Sequence, residues 1–228
     1  MTASGSYTFF QSNASMALQA YSRLQIRRTA LLAEHMADAY QEMNLMLSSW
    51  SNLQPNLWTV DLITVPLVQG TTTYSVDPAT VMILDAYLSY GSPTRDRLIF
   101  PISRTDYASY PDKTVQNQPT VFWFDRLESP TITLWPVPDG NGPYVLKYYR
   151  CKQVQDANLQ SGETPEVPYR WLDAGVAGLA HRLSRIWKPE LEQIRSADAD
   201  AAWKIAATQD IENTPMYISP VISGYYRN

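Results

Sequence analysis

Between Thr29 and Leu53 the apolar residues Leu32, Met36, Ala39, Met43, Met46, Trp50 and Leu53 recur at alternating steps of four and three. That spacing draws one stripe along an α-helix, and a stripe of this kind has to be buried against another helix. Pro55 ends the run, because the residue before a proline avoids helical geometry. A shorter amphipathic stretch from Ala14 to Leu24 precedes it, with Ser12 or Asn13 available as N-cap. The two are expected to form a helical pair.

After Trp58 the pattern changes to β. Val60 to Val65, Thr71 to Val76 and Val81 to Tyr90 are strand-like, and Gly70 stands where a hairpin turn is expected. Ser103 and Asp106 have the spacing of a capping box and predict a short helix through Ser109, closed by Pro111. Pro119 to Asp139 then holds two runs rich in β-branched and aromatic residues, Thr120 to Phe124 and Thr131 to Trp135, joined by the polar Asp125 to Pro130. Pro136 and Pro138 cannot donate to a ladder and should end the second run. The turn from Asp139 to Pro143 leads to a third run, Tyr144 to Cys151, so the three read as an antiparallel meander. Alternation sends Phe122 and Phe124 to one face and Trp123 to the other; one face meets the core and the other needs a partner.

The polar segment from Asp156 to Pro168 reads as a loop. Beyond it Leu172, Val176, Leu179, Leu183 and Ile186 repeat the four-three spacing. Pro189 opens a last helix in the first-turn position it favours, with Glu190 and Glu192 at the positive end. That helix carries Leu191, Ile194, Ala201 and Ile205 on one stripe, interrupted by Asp198. From Asn213 onward Pro215, Pro220 and Gly224 preclude a stable helix, yet the stretch is too apolar for a solvated tail, as if ordered by another chain. The fold expected is α+β. Residues 1–57 and 157–212 form a helical bundle, 58–156 an inserted antiparallel β domain with a short helix, and 213–228 an extended tail.

The chemistry of catalysis is missing from the pattern. No glycine-rich phosphate loop, Gly-x-Ser-x-Gly elbow or His-Glu-x-x-His helix occurs. Asp125, Glu128 and Asp139 are better read as turn residues than as a glycosidase pair. One cysteine, Cys151, and two histidines, His35 and His181, exclude an internal disulfide and are too few for a Cys/His zinc site, so no cofactor or metal is expected. A net charge of −4 argues against a dedicated nucleic-acid binder. Arg23, Arg27, Arg28, Arg182, Arg185, Lys188 and Arg195 fit solvated helix faces or ion pairs better than phosphate contacts. The N-terminus lacks the pattern of a signal peptide and no apolar run is long enough to span a membrane, so maturation in a reducing cytoplasm is expected. Seven tryptophans and fifteen tyrosines leave a carbohydrate-binding module as a competing reading, since sugars stack on exposed rings.

The order of pieces is itself informative: a helical pair ending Leu45-Met46-Leu47-Ser48-Ser49-Trp50, a strand region with ILDAYLSYG, then PISRTDYASYPDK and QPTVFWFDRLESPTITLWPVPD. VLKYYRCKQVQDA and two closing helices complete it. From about Ala14 to Glu212 this resembles the head-to-tail adaptor family of short-tailed bacteriophages, also called tail accessory or head-closure proteins. The turn near Arg23 to Arg28 departs from it in lacking an expected glycine. The resemblance implies a non-enzymatic virion protein, assembled in the bacterial cytoplasm, of which twelve copies ring the head-to-tail junction beneath the portal protein. The ring would continue the channel through which double-stranded DNA passes on ejection. It further implies that Met216, Tyr217, Ile218, Val221, Ile222, Tyr225 and Tyr226 dock on the portal. The β region, including Trp123 and Trp135, would face the tail nozzle or fibres, and Leu32, Met36, Met43, Met46, Trp50, Leu172, Val176, Leu179 and Leu183 would pack the bundle. A tail nozzle or hub component of the same virion is the nearby alternative.

Overall fold

The computed structural model of the chain describes residues 5–53, 57–159 and 162–211. The Ser12 hydroxyl accepts from the Ser15 amide at 3.2 Å and starts α1 (Asn13–Arg23). Gln25 then takes a positive φ of 62°, the conformation for which a glycine was expected in this turn. A single 3-10 turn at Arg28–Ala30 leads to α2 (Ala33–Leu53). Two further helices, α4 (Leu172–Trp187) and α5 (Glu192–Gln209), close the described chain, and α3 (Arg104–Ser109) is a short helix between strands.

Helix α4 is the common partner of α1, α2 and α5. Leu172, Val176, Leu179 and Leu183 are buried in one apolar cluster with Met16, Tyr21, Met43, Met46 and Trp50, and Met36 packs on its margin. The helices meet closely because α4 has glycines at the contacts. A Cβ on Gly175 would lie 2.5 Å from Met16 Cε, and one on Gly178 would lie 2.8 Å from Met46 Sδ. Trp171, fully buried at the start of α4, gathers Trp50 at 5.1 Å, Trp58 at 5.0 Å and Trp203 at 6.2 Å between ring centroids.

Three packing expectations are overturned. Leu32 is 60% exposed, because the helix begins only at Ala33 and the preceding turn carries Leu32 out of register with the stripe. Leu53 and Ile186, at the ends of their helices, are exposed as well. The α5 stripe faces outward: Ile194 and Ala201 are exposed and Ile205 is 71% exposed, while Ala199 and Ala206 are buried. Small residues allow α5 to lie close on α4, and that close approach outweighs the apolar area of the isoleucines.

Among the described residues seven strands form one sheet in the order β1-β7-β3-β4-β5-β6-β2, with β1 (Val60–Pro66), β2 (Thr73–Ser75), β3 (Thr80–Tyr90), β4 (Arg95–Pro101), β5 (Val121–Phe124), β6 (Thr131–Trp135) and β7 (Tyr144–Lys152). The sheet is mixed, correcting the antiparallel expectation: β4 and β5 run parallel, with Phe100 opposite Val121. Charged Arg95, Asp96 and Arg97 hid β4 from the pattern, and the chain returns to β5 through α3. The meander also fails. β5 and β6 do pair, with Phe122 opposite Leu134, but the other edge of β6 takes β2, and β7 passes to the far side between β1 and β3. Gly70 turns the chain at φ 76°, its amide donating to the Pro138 carbonyl at 3.0 Å, but β1 and β2 do not pair with each other. Leu88, Ile99, Phe122, Ile132, Leu134, Leu146 and Tyr148 fill the second core, under the sheet.

Arg150 of β7 is buried and ties three segments together. Its guanidinium donates to Asp61 of β1 at 2.8 Å and to Thr80 of β3 at 3.0 Å, and pairs with Asp77 at 2.8 Å. The Ala79 amide first, and Arg150 second, hold the Asp77 carboxyl below its ordinary value. Cys151 beside it is a free buried thiol, 3.1 Å from the Thr59 hydroxyl.

Leu179→Ala should cost about 2–5 kcal/mol, whereas Leu32→Ala should stay within about 0.5 kcal/mol, read by urea unfolding. Tyr144 supplies a pH dependence. Burial first, and its hydrogen bond of 2.8 Å to Asp139 second, raise its hydroxyl to about 12. A raised folded value means that the contribution is complete below pH about 10 and is lost as pH rises through about 12. Tyr144→Phe should therefore shrink the loss of stability measured between pH 10 and 12.

Candidate interaction surfaces

The aromatic strands carry one candidate surface. Phe122 is buried on the core side of β5, and Trp123 and Trp135 lie on the opposite side of β5 and β6. That side finds its partner within the chain. Tyr107 stacks on Trp123 at 5.7 Å, and Tyr110 on Trp135 at 4.0 Å with the rings 10° from parallel. The Trp135 indole N–H donates to the Asp112 carbonyl at 3.1 Å. Each indole thus has one ring face covered by a tyrosine.

Both tyrosines come from α3 and its C-cap, so the ledge depends on that helix. The Ser103 hydroxyl accepts from the Asp106 amide at 3.0 Å, and the Asp106 carboxylate accepts from the Ser103 amide at 3.1 Å, completing the expected capping box. The Ser103 hydroxyl first, and its amide second, keep the Asp106 carboxyl below its ordinary value. At the other end Lys113 donates to the Ala108 and Tyr110 carbonyls at 3.3 and 3.0 Å, and its ammonium stands 5.6 Å from the Tyr107 ring centre.

A second surface lies among the helices. A groove of about 500 Å³ runs between α2, α4 and α5, with Met46, Trp50, Trp203 and the α4 glycine Gly178 along it and Arg182, Arg185 and Lys204 among its polar residues. Arg182 pairs with Glu42 at 3.5 Å and Arg185 with Glu192 at 3.1 Å. Burial first, and Arg185 second, lower the proton affinity of His181, so its imidazole is neutral at pH 7 and suited to accept from the Arg185 guanidinium 3.2 Å away. Helical spacing identified Met46 and Trp50 as packing residues but not the groove, which exists only because α5 turns its alanines inward.

Other expectations fall into place individually. Arg23 pairs with Asp173 at 2.5 Å, Lys188 with Glu190 at 3.5 Å and Arg195 with Asp198 at 3.0 Å, as a reading of helix-face ion pairs requires. His35 is buried and stacked on Trp187 at 3.8 Å. The docking segment Met216, Tyr217, Ile218, Val221, Ile222, Tyr225 and Tyr226 lies outside the described residues. Among the described residues no group of three or more His, Cys, Asp or Glu could hold a metal, and no helix is long and apolar enough to cross a membrane.

The family model of the SU10 adaptor protein matches residues 12–223. The chain belongs to that family. The match agrees with the resemblance to phage head-to-tail adaptors carried by the order of its segments. In the adaptor, the matched span opens at the Ser12 cap and takes in all five described helices and all seven strands. No curated protein matches the chain.

Ser103→Ala should remove about 1 kcal/mol from α3. Because α3 holds Tyr107 and Tyr110 over the indoles, the tryptophan emission of the variant should shift to longer wavelength, with little change in far-ultraviolet dichroism.

Proposed function

We propose that this adaptor is a structural protein of a phage virion that assembles as a ring at the head-to-tail junction. The ring joins the portal protein to the tail and continues the DNA channel. The observation that carries this reading is the extent of the family match, from the first helical cap through both helical ends and the β region into the apolar C-terminal segment. A match of that span takes in both helical ends and the β region together, as expected if they act as one unit.

The physical chemistry supports the same reading. A channel wall of mild net negative charge, −4 per chain, lets a polyanion slide past without counterion-releasing contacts. Exposed isoleucines on α5 are available to a neighbouring copy. Met216, Tyr217, Ile218, Val221, Ile222, Tyr225 and Tyr226 grip the portal, and repetition round a ring of about twelve copies multiplies weak contacts into a stable junction. The ledge of Trp123 and Trp135 stands at the tail end, toward the nozzle or fibres.

A chain truncated after Glu212 tests the grip. It should keep the dichroism spectrum and melting temperature of the full chain and lose at least tenfold in portal affinity by sedimentation or pull-down. Undiminished portal binding refutes docking through this segment, and binding to the nozzle alone reassigns the protein to the tail.

A further inference from the structure

The segment before the first helix, Gly5-Ser6-Tyr7-Thr8-Phe9-Phe10-Gln11, carries three aromatic side chains, of which the rest of the chain leaves Tyr7 and Phe9 largely in water and Phe10 44% exposed. Tyr7 is 100% exposed and Phe9 is 74% exposed. The segment has no regular structure of its own and runs straight into the Ser12 cap. Aromatic rings held in water forgo the burial that makes them effective anchors, so an arm of this composition is suited to a surface outside its own fold.

The groove between α2, α4 and α5 offers such a surface, and its position decides whose arm can enter it. Phe9 sits by a shallow recess with Leu172, Asp173 and Val176 of α4. The groove is lined from α4 by Ala174, Gly178, His181, Arg182 and Arg185. At about 100° per residue, these two sets point to opposite sides of the helix. Seven extended residues reach about 23 Å. Half the girth of a body two helices wide, about 20 Å across, is about 30 Å, so an arm does not reach the groove of its own chain.

We infer that the arm of one subunit, through Tyr7, Phe9 and Phe10, fills the α2–α4–α5 groove of the next copy of this chain. The inference deepens the proposed ring and rests on it. Complementarity is chemical as well as steric. The groove offers apolar surface from Leu53 and the partly exposed Trp203, over a floor of buried Met46 and Trp50, while Arg182, Arg185 and Lys204 bring cations to the faces of the incoming rings. Donor and receptor lie on different faces, so the contact is heterologous. Repeated, it closes into a ring and does not stop at a two-fold dimer.

Cross-linking tests this directly, because Cys151 is buried and leaves the surface free of thiols. The full chain carrying Phe9→Cys and Lys204→Cys is mixed with portal, treated with a short bis-maleimide and run on a denaturing gel, with micrographs of the same sample. The expected result is a ladder of covalent oligomers extending to the full ring. An equal mixture of the two single variants should give covalent dimers and nothing larger. A cross-link confined to the monomer overturns the exchange. Rings that form without cross-links overturn it while leaving the ring intact; absence of rings from the unmodified chain overturns both. Independently, the triple variant Tyr7→Ser, Phe9→Ser, Phe10→Ser should melt as the unmodified chain does and assemble at least tenfold less. Equal assembly overturns the exchange.

Discussion

Everything in the helical half depends on how closely α4 can approach its neighbours. Gly175 and Gly178 remove side-chain atoms where Met16 and Met46 press in, so the backbones draw together and long, adaptable methionines fill what space remains. Larger residues there would push α1 and α2 outward and loosen the packing around Trp171, whose ring is the meeting point of Trp50, Trp58 and Trp203. Trp58 lies just before β1, and its indole N–H donates to the Glu166 carbonyl at 3.0 Å. Glu166 also takes Lys152 at 2.7 Å from the end of β7. The sheet is thereby hung from the same point on which the helices converge.

The sheet has its own fixed point in Arg150. A buried guanidinium is tolerated only where its donors are met, and here Asp61, Asp77 and Thr80 meet them from segments on both sides of β7. The arrangement selects the register of β1 against β7 and of β3 against β7 together, since a one-residue slip would strand the charge. The partners are partly exposed carboxylates, so the arrangement fixes the strand order more than it adds to the overall stability.

Helix positions, the capping box, the loop after Asp156 and the pairing of Thr120–Phe124 with Thr131–Trp135 were legible in the sequence, because each follows from local periodicity or a local cap. Strand partners were not. Nothing near Tyr144 tells it to bypass β6, since that choice rests on β2 reaching Thr133 from far away in the chain. Charge concealed β4, of which Ile99 alone is buried. The outward turn of Ile194 and Ile205 was illegible for a different reason: periodicity ranks faces by apolar bulk, whereas close helix contact can favour alanine. Of the candidate surfaces, Trp123 and Trp135 were visible as aromatic strand residues. Their tyrosine cover was not, because it arrives from α3.

The order β1-β7-β3 has a consequence for synthesis. β1 and β3 never pair with each other; both wait for β7, which emerges from the ribosome after them. Likewise α1 and α2 wait for α4. Until translation has passed Lys152, β1 and the β7 side of β3 lack their partner, and until it has passed Trp187 the apolar stripes of α1 and α2 stay open. Folding thus depends on distant segments, and a product truncated before Lys152 could present neither half in finished form. An incomplete polypeptide would be unable to take a place in the assembly, so the topology acts as a check on the integrity of each subunit.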